Sequence, residues 1–175
     1  MLDPTHRGLT ADMFVLRGDE FLTLTRAGGR GEGLDYLPGG IVELGEDPAH
    51  AAVRETREES GLRVTKPRLL RVWTYPTPEG WDTVHATYVA VSVAGEPVLS
   101  DEHSAFQWTT PASYIDKWCS AELQEALPTH ARWLREVRTN CELIDALLGE
   151  ATDRWTPETP MSLSPMADNH VNGRL

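Results

Sequence analysis

Cysteine is nearly absent from this 175-residue chain, with only Cys119 and Cys141 present. Two lone thiols build neither a zinc site nor a disulfide framework. Basic residues are outnumbered, 16 Lys and Arg against 27 Asp and Glu, for a formal net charge of −11. The mean field of such a chain repels phosphate, which argues against nucleic acid or an anionic membrane as a partner. Handling a phosphate would need a local reversal of sign by a metal, a few arginines or a helix N-terminus. Long apolar runs are also lacking, and nothing approaches the ~18 residues of a membrane span. The segment 1–8 does not read as a signal peptide, so the expected compartment is the cytoplasm. What remains is ordinary: 40% hydrophobic and 25% charged residues fit one globular domain with appendages.

The first half reads as strands around one helix. Met13–Leu16 and Phe21–Thr25 form a hairpin pattern about Gly18 and Asp19. A glycine-rich loop over 27–33 leads to Pro38-Gly39-Gly40. Asp47 as N-cap, Pro48 at the first helical position and Gly61 beyond the end predict a helix over 47–60. Its small residues Ala49, Ala52, Val53, Thr56 and Ser60 share the side expected to face a sheet. Further strands are expected over 69–75, 82–93 and 105–108, with a turn at 77–80. From Pro111 the texture changes to helices, one short and one from Leu127 to Leu148 ended by Gly149. Residues 150–175 carry three prolines and no periodicity, and read as a mobile tail.

The informative stretch lies between Gly40 and Leu62. Glu55, Glu58 and Glu59 fall at i, i+3 and i+4, on one side of the helix and expected to face away from the core. Carboxylates crowded on one turn repel each other. A hard divalent cation such as Mg2+ or Mn2+ would relieve that repulsion, because it prefers oxygen ligands. Arg54, four residues before Glu58, can hold that carboxylate in place. Gly39 and Gly40 let backbone approach a metal or phosphate closely. A solvated acidic face is the plain alternative for an isolated Glu-x-x-Glu-Glu.

Here the spacing is longer and fuller: Gly40, Glu46, Arg54-Glu55, Glu58-Glu59 and Gly61-Leu62 all fall in register. The segment resembles the Nudix box, G-x5-E-x7-R-E-U-x-E-E-x-G-U, with Thr56 departing from the usual aliphatic. The resemblance implies an α+β Nudix fold, a mixed β-sheet between helices, here with a C-terminal helical extension. The expected division is a Nudix domain over 1–110, an extension over 111–149 packing on the core or a dimer partner, and a tail over 150–175. The implied activity is Mg2+- or Mn2+-dependent hydrolysis of a diphosphate linkage in a small-molecule nucleotide or other diphosphate. By resemblance the metal ligands are Gly39, through its carbonyl, with Glu55, Glu58 and Glu59. Glu102, ahead of Trp108, is similar to a downstream glutamate of MutT-like members that joins the metal or acts as base. Catalytic expectations therefore fall on Glu55, Glu58, Glu102 and Arg54.

Substrate contacts are expected from Arg26 as a phosphate clamp, from Gly40, and from Trp73 and Tyr75 as stacking surfaces. Trp81 and Tyr88 are offered as stacking surfaces in the same way, and Arg30 and His103 are weaker candidates. Two alternatives stay open: a catalytically silent nucleotide sensor, and a hydrolase of a prenyl or other non-nucleotide diphosphate. The extension has four basic residues against seven acidic over 111–150, unsuited to DNA. Its apolar side (Ile115, Trp118, Leu134, Val137, Ile144, Leu147) must be buried on the sheet or in a homodimer.

Overall fold

Three antiparallel and eight parallel residue pairs along one central strand set the architecture of the computed structural model, which describes residues 8–29, 31–76, 82–92, 95–120 and 131–154. The strands are β1 (Leu9–Arg17), β2 (Glu20–Arg26), β3 (Asp35–Tyr36), β4 (Gly39–Ile41), β5 (Val64–Pro76), β6 (Asp82–Ser92) and β7 (His103–Thr109). The helices are α1 (Pro48–Ser60), α2 (Pro111–Trp118) and α3 (Ala131–Arg154). The sheet order is β3-β2-β1-β6-β5, with β4 pairing β1 and β7 pairing β2. β1 and β6 run parallel from Leu9↔Val84 to Leu16↔Val91; the other pairs are antiparallel.

Alternation along β1 splits the core in two. Ala11, Met13 and Val15 point to one face, where Ala51 and Ala52 of α1 pack with Leu22, Leu24 and Tyr88. Phe14 points to the other, with Phe21, Tyr114, Trp118, Val137, Cys141 and Ile144. The apolar sides of α2 and α3 thus lie on the sheet of their own chain. Neither Cys119 nor Cys141 forms a disulfide among the described residues. No described helix is long and apolar enough to cross a membrane.

Local signals explain α1. The Asp47 side chain accepts from the Ala49 amide at 2.8 Å, Pro48 opens the helix, and Gly61 closes it at φ 68°. Thr56 is buried, and its hydroxyl donates to the Ala52 carbonyl at 2.7 Å. A threonine is therefore satisfied where an aliphatic was expected.

Other expectations need adjustment. β5 begins at Val64 rather than 69 and includes Pro67; as the outermost strand it tolerates a residue with no N–H. α3 runs through Gly149 to Arg154 instead of ending there, since a glycine weakens a helix without obliging it to stop. Arg30, Trp81, the turn at 77–80, the first turns of the helix expected from Leu127, and residues 155–175 lie outside the described residues.

Candidate active site

Two glycines bring α1 against the sheet. Gly39 and Gly40 of β4 pair with Asp12 and Ala11 of β1. A Cβ on Gly39 would lie 2.5 Å from the Ala11 carbonyl oxygen, and one on Gly40 would lie 2.5 Å from Glu55 Oε1. The glycines therefore admit a neighbouring strand and a glutamate, not only a ligand.

Arg54 organises one half of the acidic cluster. Its Nε and Nη2 donate to Glu46 Oε1 and Oε2, both at 2.9 Å, a two-pronged pairing. Nη1 donates to Glu55 Oε1 at 2.7 Å and to Glu58 Oε2 at 3.2 Å, and Nη2 also reaches the Ile41 carbonyl at 3.2 Å. The hydrogen bond from Arg54, aided by the Glu43 amide at 3.0 Å, holds the Glu46 carboxyl down at about 2. Arg54 in turn is held above its ordinary value, foremost by Glu46. The sequence reading gave Glu46 no role; it is the principal partner of Arg54.

Glu59 behaves differently from its two neighbours. The three carboxylates were expected to face away from the core, but Glu59 is buried at 7% exposure. Its place one turn beyond Glu55 puts it against β4, where its Oε2 accepts the Gly39 amide at 2.9 Å. Burial, together with the charges of Glu55 and Glu102, pushes its carboxyl up to about 7 against the pull of Gly39 and Arg26. His103 Nε2 stands 3.7 Å from Glu59 Oε1. Burial, and then Arg26, lower the His103 pKa against the opposing pull of Glu102.

Among the described residues no three His, Cys, Asp or Glu side chains converge into a ready metal cage. Glu55 and Glu58 turn to Arg54, the nearest positive charge. The set nonetheless fits a hard cation. It is all oxygen, and a buried carboxylate pressed towards protonation by two like charges gains most from divalent counter-charge.

Beside Glu59 opens a pocket of about 300 Å³, on the α2–α3 side of the sheet. Arg26, Gly39, Gly40, Glu59 and His103 line one part; Asp12, Trp73, His85 and Trp133 line another. Arg26, Gly40 and Trp73 were expected here. Trp73 is no free stacking surface, however. Its indole N–H donates to Thr87 Oγ1 at 2.9 Å, and its ring stacks on His85 at 4.3 Å between centroids. Tyr75 lies on β5, but its side chain is outside the described residues. Tyr88 packs beneath α1, away from the pocket. Glu102 is exposed in the turn before β7; its carbonyl accepts the Ala27 amide at 2.8 Å, and its charge is felt at both Glu59 and His103. Asp12, His85 and Trp133 were missed. The first two sit at alternate strand positions facing the pocket, a signal visible only once the register of β1 and β6 is known.

Comparison with known proteins agrees with this arrangement. A model of the NUDIX domain matches residues 6–137. Human diphosphoinositol polyphosphate phosphohydrolase 2 is 34% identical over 112 residues, 60% of this chain and 56% of that protein. The ADP-ribose pyrophosphatase of Methanocaldococcus jannaschii is 30% identical over 99 residues, 55% of this chain and 58% of that protein. The chain thus spans less than two thirds of the length of these curated relatives. The crystal structure of a MutT NUDIX hydrolase from Burkholderia pseudomallei superposes with a TM-score of 0.56 at 28% identity, covering 60% of this chain and 84% of that one.

Proposed function

The chain belongs to the Nudix family, and on that basis we propose that it hydrolyses the diphosphate linkage of a nucleoside diphosphate derivative or nucleoside triphosphate, with Mg2+ or Mn2+, by attack of water at phosphorus. The observation that carries the reading is the buried Glu59 carboxylate, seated between Gly39 and His103 at the edge of a pocket that also holds Arg26. Glu55, Glu58, Glu59 and the Gly39 carbonyl are the groups to hold the cation, with Glu102 as a further ligand or as the base. When bound, the cation supplies the charge that neutralises the diphosphate and polarises its phosphorus.

The protein's own groups do the rest. Gly39 fixes the orientation of Glu59 through its amide. Arg54 holds Glu55 and Glu58 on one side of α1 while Glu46 anchors the guanidinium. Arg26, half-buried at the pocket wall, orients the diphosphate by donating to its oxygens. Among the described pocket residues Arg26 is the one cationic side chain of the Lys and Arg kind. That favours a substrate with a short phosphate chain over a polyphosphorylated inositol, which needs several cations around it.

A substrate panel tests this: ADP-ribose, NADH, dinucleoside polyphosphates, nucleoside triphosphates, a diphosphoinositol polyphosphate and prenyl diphosphates. Metal-dependent release of phosphomonoesters or pyrophosphate from a nucleotide is the expected result. Turnover confined to prenyl or inositol diphosphates would overturn the substrate class, and binding without turnover would mark a silent sensor.

A further inference from the structure

Two buried polar atoms of opposite hydrogen-bonding sense belong to residues that line the pocket beside Glu59, and neither has a partner among the described residues. One is Arg26 Nε, a donor; the other is Asp12 Oδ1, an acceptor. Leaving either group dry and unpaired is costly, so each asks for a complementary atom. The proposed function uses Arg26 but gives Asp12 no work.

Its placement is fixed by the sheet. Asp12 is the inward residue of β1 between Thr10 and Phe14, pairs with Gly39 on β4 and faces Thr87 on β6. Thr10, His85 and Trp73 form an adjoining row across β1, β6 and β5. His85 is pinned in that row by its Nδ1 contact to Thr10 Oγ1 at 2.8 Å and by the stacked Trp73 ring. Its Nδ1 lies 3.8 Å from Asp12 Oδ2, too far to satisfy the carboxylate. Trp133 adds an aromatic wall, 5.3 Å from Trp73 and 6.0 Å from His85 between centroids. The pocket thus offers a cation for an anionic group and a carboxylate oxygen for an N–H.

We propose that Asp12 is a specificity-determining residue that accepts a hydrogen bond from an N–H of the substrate's nucleobase while Arg26 engages the phosphate end. The inference rests on the nucleotide reading above and narrows it to bases that carry a donor. Adenine offers its exocyclic amino group, and guanine its ring N–H and amino group. Unsubstituted purine offers neither.

The test is calorimetric binding in Mg2+ of AMP, GMP and purine riboside 5′-monophosphate, none of which contains a diphosphate linkage to be cleaved. The wild type should bind AMP or GMP at least about tenfold more tightly than the purine riboside, the worth of one hydrogen bond to a charged acceptor. Asp12→Ala should bind all three alike, with its affinity for the purine riboside kept within about twofold, and a melting curve establishes its fold. Asp12→Asn, which keeps the size of the side chain and one acceptor oxygen but not the charge, should fall between the wild type and Asp12→Ala. No preference in the wild type, or the same preference in both variants, overturns the assignment. Turnover of nucleotides without such a preference leaves the hydrolase reading standing and removes this one. A clear preference with no turnover in the substrate panel does the reverse.

Discussion

Gly39 donates its backbone N–H to Glu59 Oε2 at 2.9 Å, so a strand residue with no side chain fixes the one buried glutamate of the acidic turn. That contact separates Glu59 from Glu58, whose side chain is 60% exposed and pairs with Arg54. The two glutamates should respond differently to the same change. Glu58→Gln should lower kcat by ~10² or more and leave the melting temperature nearly unchanged. Glu59→Gln should lower kcat as severely while raising the melting temperature of the metal-free protein. It removes a buried charge that Glu55 and Glu102 oppose, and the amide oxygen can still accept from Gly39. Kinetics and thermal melts in EDTA check both; equal melting shifts would contradict the difference in burial.

Gly40 is a steric requirement. A methyl group there meets the Glu55 carboxylate at 2.5 Å, so Gly40→Ala must displace Glu55 or β4. The atoms met are the end of a flexible side chain, so the displacement costs little stability and chiefly moves the Glu55 carboxylate. The expected result is a fall in kcat with at most a small drop in melting temperature. A variant that turns over like the wild type would show that Glu55 is free to swing away at no cost to catalysis.

The pairing of Glu46 with Arg54 sets an acid limit. The Glu46 carboxyl is held at about 2, below its ordinary 4.5. A lowered carboxyl contributes stability that is complete above 4.5 and is lost as pH falls from there towards 2. Glu46→Gln should therefore melt lower than the wild type at pH 6, with the gap closing as the pH is taken down towards 2. A gap independent of pH would assign the effect to packing rather than charge.

Cys141 is fully buried in the α2–α3 core, and burial pushes its thiol up to about 12. The reactive thiolate is then scarce at neutral pH. Maleimide or Ellman reagent should label Cys119 in the native protein and both cysteines only in denaturant. Rapid native labelling of Cys141 would mean that α3 opens readily from the sheet.

The sequence made parts of this arrangement legible and hid others. The ends of α1 are written in local chemistry, Asp47 with Pro48 and Gly61, and needed no tertiary information. The spacing of Gly40, Glu46, Arg54, Glu55, Glu58 and Glu59 likewise specified one surface of that helix. Periodicity, however, places residues around a helix axis without saying how far a neighbouring strand overlaps it. For that reason Glu59 was grouped with exposed carboxylates, when β4 covers it. Trp73 was read as a stacking surface because an aromatic on a strand looks alike whether its face is open or occupied; His85 occupies it. Asp12 carries no motif at all. Its significance comes from the pairing of β1 with β4 and from the parallel register with β6, contacts more than 25 and 70 residues away in sequence.

The central claim is metal-dependent cleavage of a diphosphate at the Glu55–Glu59 turn. The most direct measurement is 31P NMR of a nucleoside diphosphate derivative turned over by the wild type in 18O water. The account predicts two phosphate-ester products, one carrying 18O, formed with Mg2+ or Mn2+ and abolished by EDTA and by Glu58→Gln. Undiminished turnover in excess EDTA, or in the Glu58→Gln variant with metal present, would contradict it.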